Sequence, residues 1–467
     1  MAIRFAREPR RSRRLPFVSS TLRHAVLVIA LGAGACSPQT TTSTSRSNHM
    51  STESPSIETR ARTFVGELAS GEWTHTKTPF DATMAGALPP DKVRELWQAL
   101  EKQEGTFRAI EQTSRHDAGG LQIVHVLCTF ERGKQTLRIV FDGSGSVAGL
   151  FVRPPDPPPW SAPEYAKTDS FDEREVAVGT SPALPGTLSM PRGAGPFPAL
   201  VLVHGSGPGD RDESVGGAKP FKDLAWGLAS RGVAVLRHEK RTRHSPEGVV
   251  TQKEEFLDSA RDAIALLRKT PGIDPARIHL LGHSQGGYLA PRIAEANPGL
   301  AGIVILAGST RPIVDSLIDQ LEYFSTSSPN DDALRATLDA ARAFKTQVEA
   351  KTLRPDEDLT FPVGGRMKGA YFLDDRGYDP AKTAQRLTSR VLVLHGGRDY
   401  QVTTKDLDGW RSALEGRPKA SVKVYPSLNH LFVHGEGTPG PAEYAKPGHV
   451  DPQVIADIAS FVLEPGA

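Results

Sequence analysis

The chain has 467 residues, 38% of them hydrophobic and 24% charged, with 44 Gly, 37 Pro and two Cys. This is a globular composition, longer than one ordinary domain, and it excludes a collagen, a coiled coil and a wholly disordered chain. The formal net charge of +2 is unevenly placed: seven Arg against one Glu give residues 1–24 a charge of +6 and leave −4 on the remainder, so there is no electrostatic case for nucleic acid as a partner.

In chain order, residues 1–36 predict an export signal. The run Ala25-Val-Leu-Val-Ile-Ala-Leu-Gly-Ala-Gly-Ala35 is 11 uncharged residues behind a basic segment. A bilayer-spanning helix needs about 20, so the run is a signal core and not an anchor helix. The small residues before Cys36 resemble a bacterial lipoprotein signal, in which the Cys is lipidated and becomes the new N-terminus; Ala33 stands where that pattern usually has Leu. The expectation is export to the bacterial cell envelope with membrane contact only through a lipid on Cys36. Plain cleavage, giving a periplasmic or secreted protein, is the alternative. Residues 37–56 hold twelve Ser or Thr in twenty positions and predict a flexible tether.

Residues 57–152 predict a small α+β domain. Helical periodicity marks Ile57–Ser70 and Pro90–Glu104; strand patterns mark Gly120–Glu131, Gln135–Phe141 and Ser146–Val152. Cys128 falls in an apolar strand-like run and reads as a buried inert thiol. Six Pro within 153–168 predict a stiff linker, since Pro cannot continue a sheet ladder.

From residue 169 to 467 short apolar strands alternate with helices. Strands are expected at Ala199–Val203, Val233–Leu236, Arg277–Leu281, Ile303–Leu306, Val391–Leu394 and Ser421–Tyr425. Helices are expected at Phe221–Ser230, Glu254–Arg268, Gln285–Ala296 and Lys405–Leu414. Continuous apolar strands are buried on both faces, which predicts a mostly parallel sheet with helices on both sides. The alternation breaks at about 310–388, where a partly helical cap including Asp332–Lys351 is expected. Leu317, Leu321, Phe324 and Phe344 recur at helical spacings there and suit either the cap's inner face or its own core. Tyr371 and Phe372 are expected to line the substrate cleft, because they lie in the segment returning toward Asp399.

Gly282-His-Ser-Gln-Gly286 is a G-x-S-x-G between an apolar strand and an amphipathic helix. Such a turn pushes the Ser284 hydroxyl out at the carboxyl edge of the sheet, with a helix N-terminus beneath it to favour negative charge. A serine nucleophile needs a base and an orienting carboxylate. Asp399, just past a later strand, and His430, past the last strand, supply them; rival bases are His434 and His449, and rival acids are Asp406, Asp408 and Asp315. Asp406 and Asp408 read as solvated helix surface. The loop His204–Asp210 fails the dinucleotide spacing and reads as an oxyanion loop, with backbone N–H groups of Ser206 and Gln285 as donors. His204, His283 and His395, also at strand ends, read as hydrogen-bonders that pin loops. No HExxH or spaced His/Asp cluster is present, so neither a metal nor another cofactor is expected.

These residues resemble the α/β-hydrolase superfamily over about 195–465, with the segment after Ser309 in the place of its variable lid. His204-Gly-Ser-Gly-Pro-Gly-Asp-Arg-Asp-Glu213 and Lys219-Pro-Phe-Lys-Asp-Leu-Ala-Trp-Gly-Leu-Ala229 are similar to a bacterial subgroup of esterase-like hydrolases, which a small domain of unknown function often precedes. The resemblance implies hydrolysis of a small-molecule ester or short acyl substrate by Ser284, Asp399 and His430, without a cofactor. A serine aminopeptidase, a thioesterase or a non-catalytic binding protein on the same scaffold are the alternatives. One departure is His238-Glu-Lys-Arg241, where the pattern has an aromatic and an Asp before Lys-Arg.

Overall fold

The computed structural model describes residues 55–118, 120–155 and 159–464. The expected signal, Cys36 and nearly all of the expected tether lie outside the described residues. Those that are described fall into two compact units, divided in the Pro-rich segment.

The first unit begins with three helices, α1 (Ile57–Ser70), α2 (Ala82–Ala87) and α3 (Pro90–Glu104). Ser56 caps α1 by accepting the Thr59 N–H, and Gly71 ends it in the left-handed conformation that glycine adopts without a Cβ penalty. Four antiparallel strands follow in spatial order: β1 (Phe107–Ala118), β2 (Leu121–Phe130), β3 (Lys134–Phe141) and β4 (Val147–Arg153). Phe64, Leu68, Trp97, Val126, Cys128 and Phe141 share one apolar core. Burial pushes the Cys128 thiol up to about 12, as an inert thiol requires. Sequence periodicity did not reveal β1. It pairs only with β2 and buries none of its described side chains, so it carries no apolar alternation.

The second unit is built on an eight-stranded sheet. Its elements in order are β5 (Phe171–Val178), β6 (Leu184–Pro191), β7 (Phe197–Val203), α4 (Pro220–Ala229), β8 (Ala234–His238), α5 (Arg241–His244), α6 (Asp258–Arg268), β9 (Ile273–His283), α7 (Gln285–Ala296) and β10 (Gly302–Leu306). After the cap come β13 (Arg390–Gly396), α12 (Thr404–Leu414), β14 (Ala420–Tyr425) and α13 (Pro452–Leu463). The strand order is β14-β13-β10-β9-β7-β8-β6-β5. Six strands run parallel; β6 is antiparallel to both β8 and β5. Alternation along β7 divides the core: Val201 and Val203 pack with α6 and α7, whereas Leu200 and Leu202 pack with α4 and α13. Each fully buried Leu, Ile or Phe contributes about 1.5–3 kcal/mol, which is why the central strands are apolar on both faces. The first turn of the helix expected at 254–268 is a π turn, Lys253–Leu257, leading into α6.

Between β10 and β13 the cap holds α8 (Ile313–Ser327), α9 (Asp332–Glu349), the hairpin β11 (Asp358–Thr360) and β12 (Arg366–Lys368), α10 (Gly369–Asp374) and α11 (Pro380–Arg386). Leu317, Leu321 and Phe344 pack into the cap's own apolar cluster, and Phe324 is partly buried against it. Asp406 corrects the surface reading of that position. It is fully buried and accepts hydrogen bonds from Thr310 N–H and from Arg311 Nε and Nη2, which fastens α12 to the start of the cap. Asp408 is exposed as expected and pairs with Arg411.

Candidate active site

Strand β9 ends at His283 and α7 begins at Gln285, so Ser284 alone makes the turn. It does so at φ +52° and ψ −116°, a region that residues with a Cβ rarely occupy. The turn closes only because its neighbours lack side chains. A Cβ on Gly282 would strike the Gly286 carbonyl, and one on Gly286 would strike the Val203 carbonyl. Ser284 N–H donates to Leu306 O at 2.9 Å, tying the elbow to the end of β10.

Asp399 and His430 arrive from the ends of β13 and β14. Asp399 Oδ1 accepts the N–H groups of Gln401 (2.8 Å) and Val402 (3.0 Å), and Oδ2 accepts from His430 Nδ1 at 2.7 Å. Burial pushes the Asp399 carboxyl up, but the His430 ring and these amides outweigh it and hold the group below its ordinary value. A carboxylate can only accept, so the His430 proton sits on Nδ1 and the Nε2 lone pair is left outward. Among the described residues no hydrogen bond joins Ser284 to His430. Unliganded sites commonly hold this pair loosely and tighten it around substrate.

His283, one residue before Ser284, brings the loops together. Its Nε2 donates to the His430 carbonyl at 3.0 Å, and the two rings lie 4.8 Å apart. Its Nδ1 lies 3.0 Å from Glu213 Oε2, and Glu213 Oε1 accepts the Gly205 N–H at 2.7 Å. Burial opposes a charge on His283, but the Glu213 carboxylate overrides it and raises the imidazole above its ordinary value. His204 pins the other loop, through Nε2 to Asp210 O at 2.9 Å. The rival base His449 is engaged elsewhere, 3.1 Å from Asp223.

Ser206, Ser284 and Gln285 line one small cavity of about 30 Å³. Gln252, Ser309, Ser316, Gln320 and Gln401 contribute polar groups to the rest of its wall, beside apolar surface that includes Tyr288, Ile313 and Val402. Gln285 opens α7, so its N–H has no acceptor within the helix. Tyr371 and Phe372 correct the expectation for the cleft wall: neither lines this cavity. Both are buried on α10 in the cap's apolar cluster. Phe372 packs edge-on against Phe344, while the Tyr371 hydroxyl donates to Glu255 Oε2 (2.7 Å) and accepts from Gln285 Nε2 (3.0 Å). Sequence reasoning missed Glu213, Gln252 and Glu255. Only Glu213 carried a signal, as the last residue of the family-like stretch 204–213.

The sheet order, the serine elbow and the Asp–His pair at neighbouring strand ends define an α/β-hydrolase architecture. Residues 200–446 match the model of a family described as alpha/beta hydrolase, and residues 61–150 match one described as a protein of unknown function. The chain belongs to the alpha/beta hydrolase family, as an esterase-like enzyme preceded by that small domain. It is similar to esterase EstD of Thermotoga maritima, 36% identical over 403 residues that cover 86% of this chain and 94% of the relative. Human acyl-coenzyme A thioesterase 1 is 26% identical over 221 residues, 46% of this chain and 49% of the relative. A solved esterase of Pyrococcus furiosus aligns over 66% of this chain and 96% of its own, at 14% identity and a TM-score of 0.42.

Proposed function

We propose that this protein hydrolyses carboxylic esters of short, polar acyl groups through an acyl-enzyme on Ser284. The observation that carries the reading is the 2.7 Å Asp399–His430 contact, held beside a serine elbow by the His283–His430 bond. Ser284 Oγ attacks the ester carbonyl while His430 Nε2 takes the hydroxyl proton. The oxyanion forms against the Ser206 and Gln285 N–H groups, and each such donor is worth about 3–4 kcal/mol in the transition state. His430 passes its proton to the leaving alkoxide, then deprotonates the water that attacks the acyl-enzyme. Asp399 keeps the proton on Nδ1 and stabilises the imidazolium.

Two unpaired polar atoms on wall residues support short, polar acyl groups. Gln252 Oε1 and Ser316 Oγ are buried without a hydrogen-bond partner in the protein. An alkyl chain would leave both unpaired, whereas an acyl-group hydroxyl could donate to Gln252 Oε1 and an acyl-group carbonyl could accept from the Ser316 hydroxyl. The similarity to an acyl-coenzyme A thioesterase favours thioesters as the second reading. A p-nitrophenyl ester series of graded acyl length, run beside matched short thioesters, separates the two. Turnover should be highest at two to four carbons. Ser284→Ala should lower kcat roughly 10⁶-fold, as for a triad acting as a unit. Fluorophosphonate label on another serine, or an active Ser284→Ala protein, would end this reading. We also propose that Cys36 carries a lipid in the cell envelope; detergent-phase partitioning that survives Cys36→Ser would refute it.

A further inference from the structure

We propose that Lys240 is a positioning residue for the oxyanion site, fixing the peptide unit that presents the Ser206 N–H. The inference rests on the catalytic reading above. The Gly205 carbonyl and the Ser206 N–H belong to one planar peptide and point in opposite directions, so whatever grips the carbonyl aims the N–H. Lys240 Nζ grips that carbonyl at 2.7 Å. Glycine at 205 leaves this peptide free to rotate unless it is held. A Cβ there would stand 3.1 Å from Ser284 Cβ, so the position must stay small. The preceding peptide is held as well, through the Gly205 N–H on Glu213.

Lys240 is 2% exposed, an unusual place for an ammonium. Its environment accounts for all three of its donors: Gly205 O, Glu255 Oε1 at 2.8 Å, and the Phe256 ring, whose centroid lies 4.2 Å away. Its own backbone N–H reaches Gly209 O at 3.2 Å, so one residue ties down both ends of the loop 205–209. Glu255 is the π-turn residue that also accepts the Tyr371 hydroxyl, and Tyr371 in turn accepts from Gln285 Nε2. A buried arc Gly205–Lys240–Glu255–Tyr371–Gln285 therefore joins the two residues whose N–H groups face the oxyanion. Apolar packing of the same volume is often as stable as a buried ion pair, so stability alone gives a weak reason for these charges. An ammonium on the Gly205 carbonyl also polarises the peptide and strengthens the Ser206 N–H as a donor, because hydrogen bonds in series reinforce one another. This assigns a role to the Lys of the His238–Arg241 stretch.

The test compares wild type, Lys240→Met and Lys240→Met/Glu255→Gln; the double variant leaves no unpaired buried carboxylate. Folding is checked by circular dichroism and the urea midpoint. The readouts are kcat and KM on a short p-nitrophenyl ester, and the Ki values of a trifluoromethyl ketone and its methyl ketone counterpart. The first ketone forms a tetrahedral adduct whose oxygen occupies the oxyanion site; the second binds as a ground-state mimic. Losing a whole oxyanion donor costs about 10²–10³ in kcat, and a loosened donor should cost about 10–100-fold. KM should stay within about threefold, the trifluoromethyl ketone should weaken in step with kcat, and the methyl ketone should be unmoved, since only the transition state uses the donor. A folded double variant with kcat within twofold of wild type would overturn the proposal, as would a loss carried by KM with both ketones weakened alike. If both variants fail to fold, Tyr371→Phe carries the test. It removes one hydroxyl from the arc and should show the same signature at about 3–10-fold, the order of one hydrogen bond's net contribution; unchanged kcat there would refute the arc. Absent ester turnover in wild type would instead refute the catalytic reading.

Discussion

The backbone at Ser284 makes a prediction in which activity and stability move apart. At φ +52° and ψ −116° a residue with a Cβ carries about 1–3 kcal/mol of local strain. Ser284→Gly releases that strain but adds conformational freedom to the unfolded chain, worth about 0.5–1 kcal/mol. Ser284→Ala loses the same hydroxyl and keeps the Cβ, so the difference between the variants isolates the strain. The Ser284→Gly protein should be more stable than the Ser284→Ala protein by about 1.2 kcal/mol, the difference between the midpoints of those two terms. Both should be catalytically dead. Urea titration of the two proteins at equal slope measures this as a shift in midpoint. A glycine variant as stable as the alanine variant, or less so, would show that the elbow is not strained and that the glycines at 282 and 286 leave it room to relax.

Asp399→Asn should cost about 10⁴-fold in kcat with little change in KM, because an amide lets the His430 proton move to Nε2; steady-state kinetics on a short ester would check it. Glu213→Ala strands the Gly205 N–H and the His283 ring in a buried site and should destabilise the fold by about 3–5 kcal/mol, while Glu213→Gln keeps the Gly205 acceptor and should cost less than half as much; urea midpoints give both numbers. Burial raises the Asp375 carboxyl to about 6, against the opposing pull of the Tyr288 hydroxyl and Arg292. With the folded value raised above the unfolded one, stability is fully present below about pH 4 and lost as pH rises through about 6, a loss of up to about 3 kcal/mol at 1.36 kcal/mol per unit. Asp375→Asn should therefore match wild type near pH 4 and exceed it at pH 8. Equal midpoints at pH 8 would contradict the assignment.

Periodicity disclosed the elements that bury a continuous face. The helices Ile57–Ser70, Pro90–Glu104 and Gln285–Ala296 begin and end where apolar spacing and Gly or Pro place them. It was silent on β1 and β5, which lie at sheet edges and whose long exposed stretches have no reason to alternate, and on β6, which contains two Pro and a Gly. The candidate residues were legible because a sharp turn leaves glycines on both sides of Ser284 and because strand ends bring Asp399 and His430 to the same edge. Their supports were not. Glu213 meets His283, and Lys240 meets Gly205, across gaps of 70 and 35 residues, joined by single polar contacts that leave no spacing pattern. Asp406 and Tyr371 were misplaced for one reason. Each is placed by a partner from elsewhere in the fold: Arg311 meets Asp406 in the interior, and Glu255 holds the Tyr371 hydroxyl away from the cavity wall.

The bond from His283 to the His430 carbonyl bears on how such a protein can change over evolutionary time. The residue adjoining Ser284 grips the loop of His430 directly, and Asp399 is seated on the amides of its own loop. None of these contacts passes through residues 310–388. The cap can lengthen, shorten or be exchanged while the spacing of the reacting groups is kept by the scaffold, and doubling a loop adds only about 0.6 kcal/mol of closure entropy. The candidate reacting groups thus rest on a fixed chassis and the cap on a replaceable module, with Tyr371, Arg311 and Asp375 among the contacts that a new cap would have to refit.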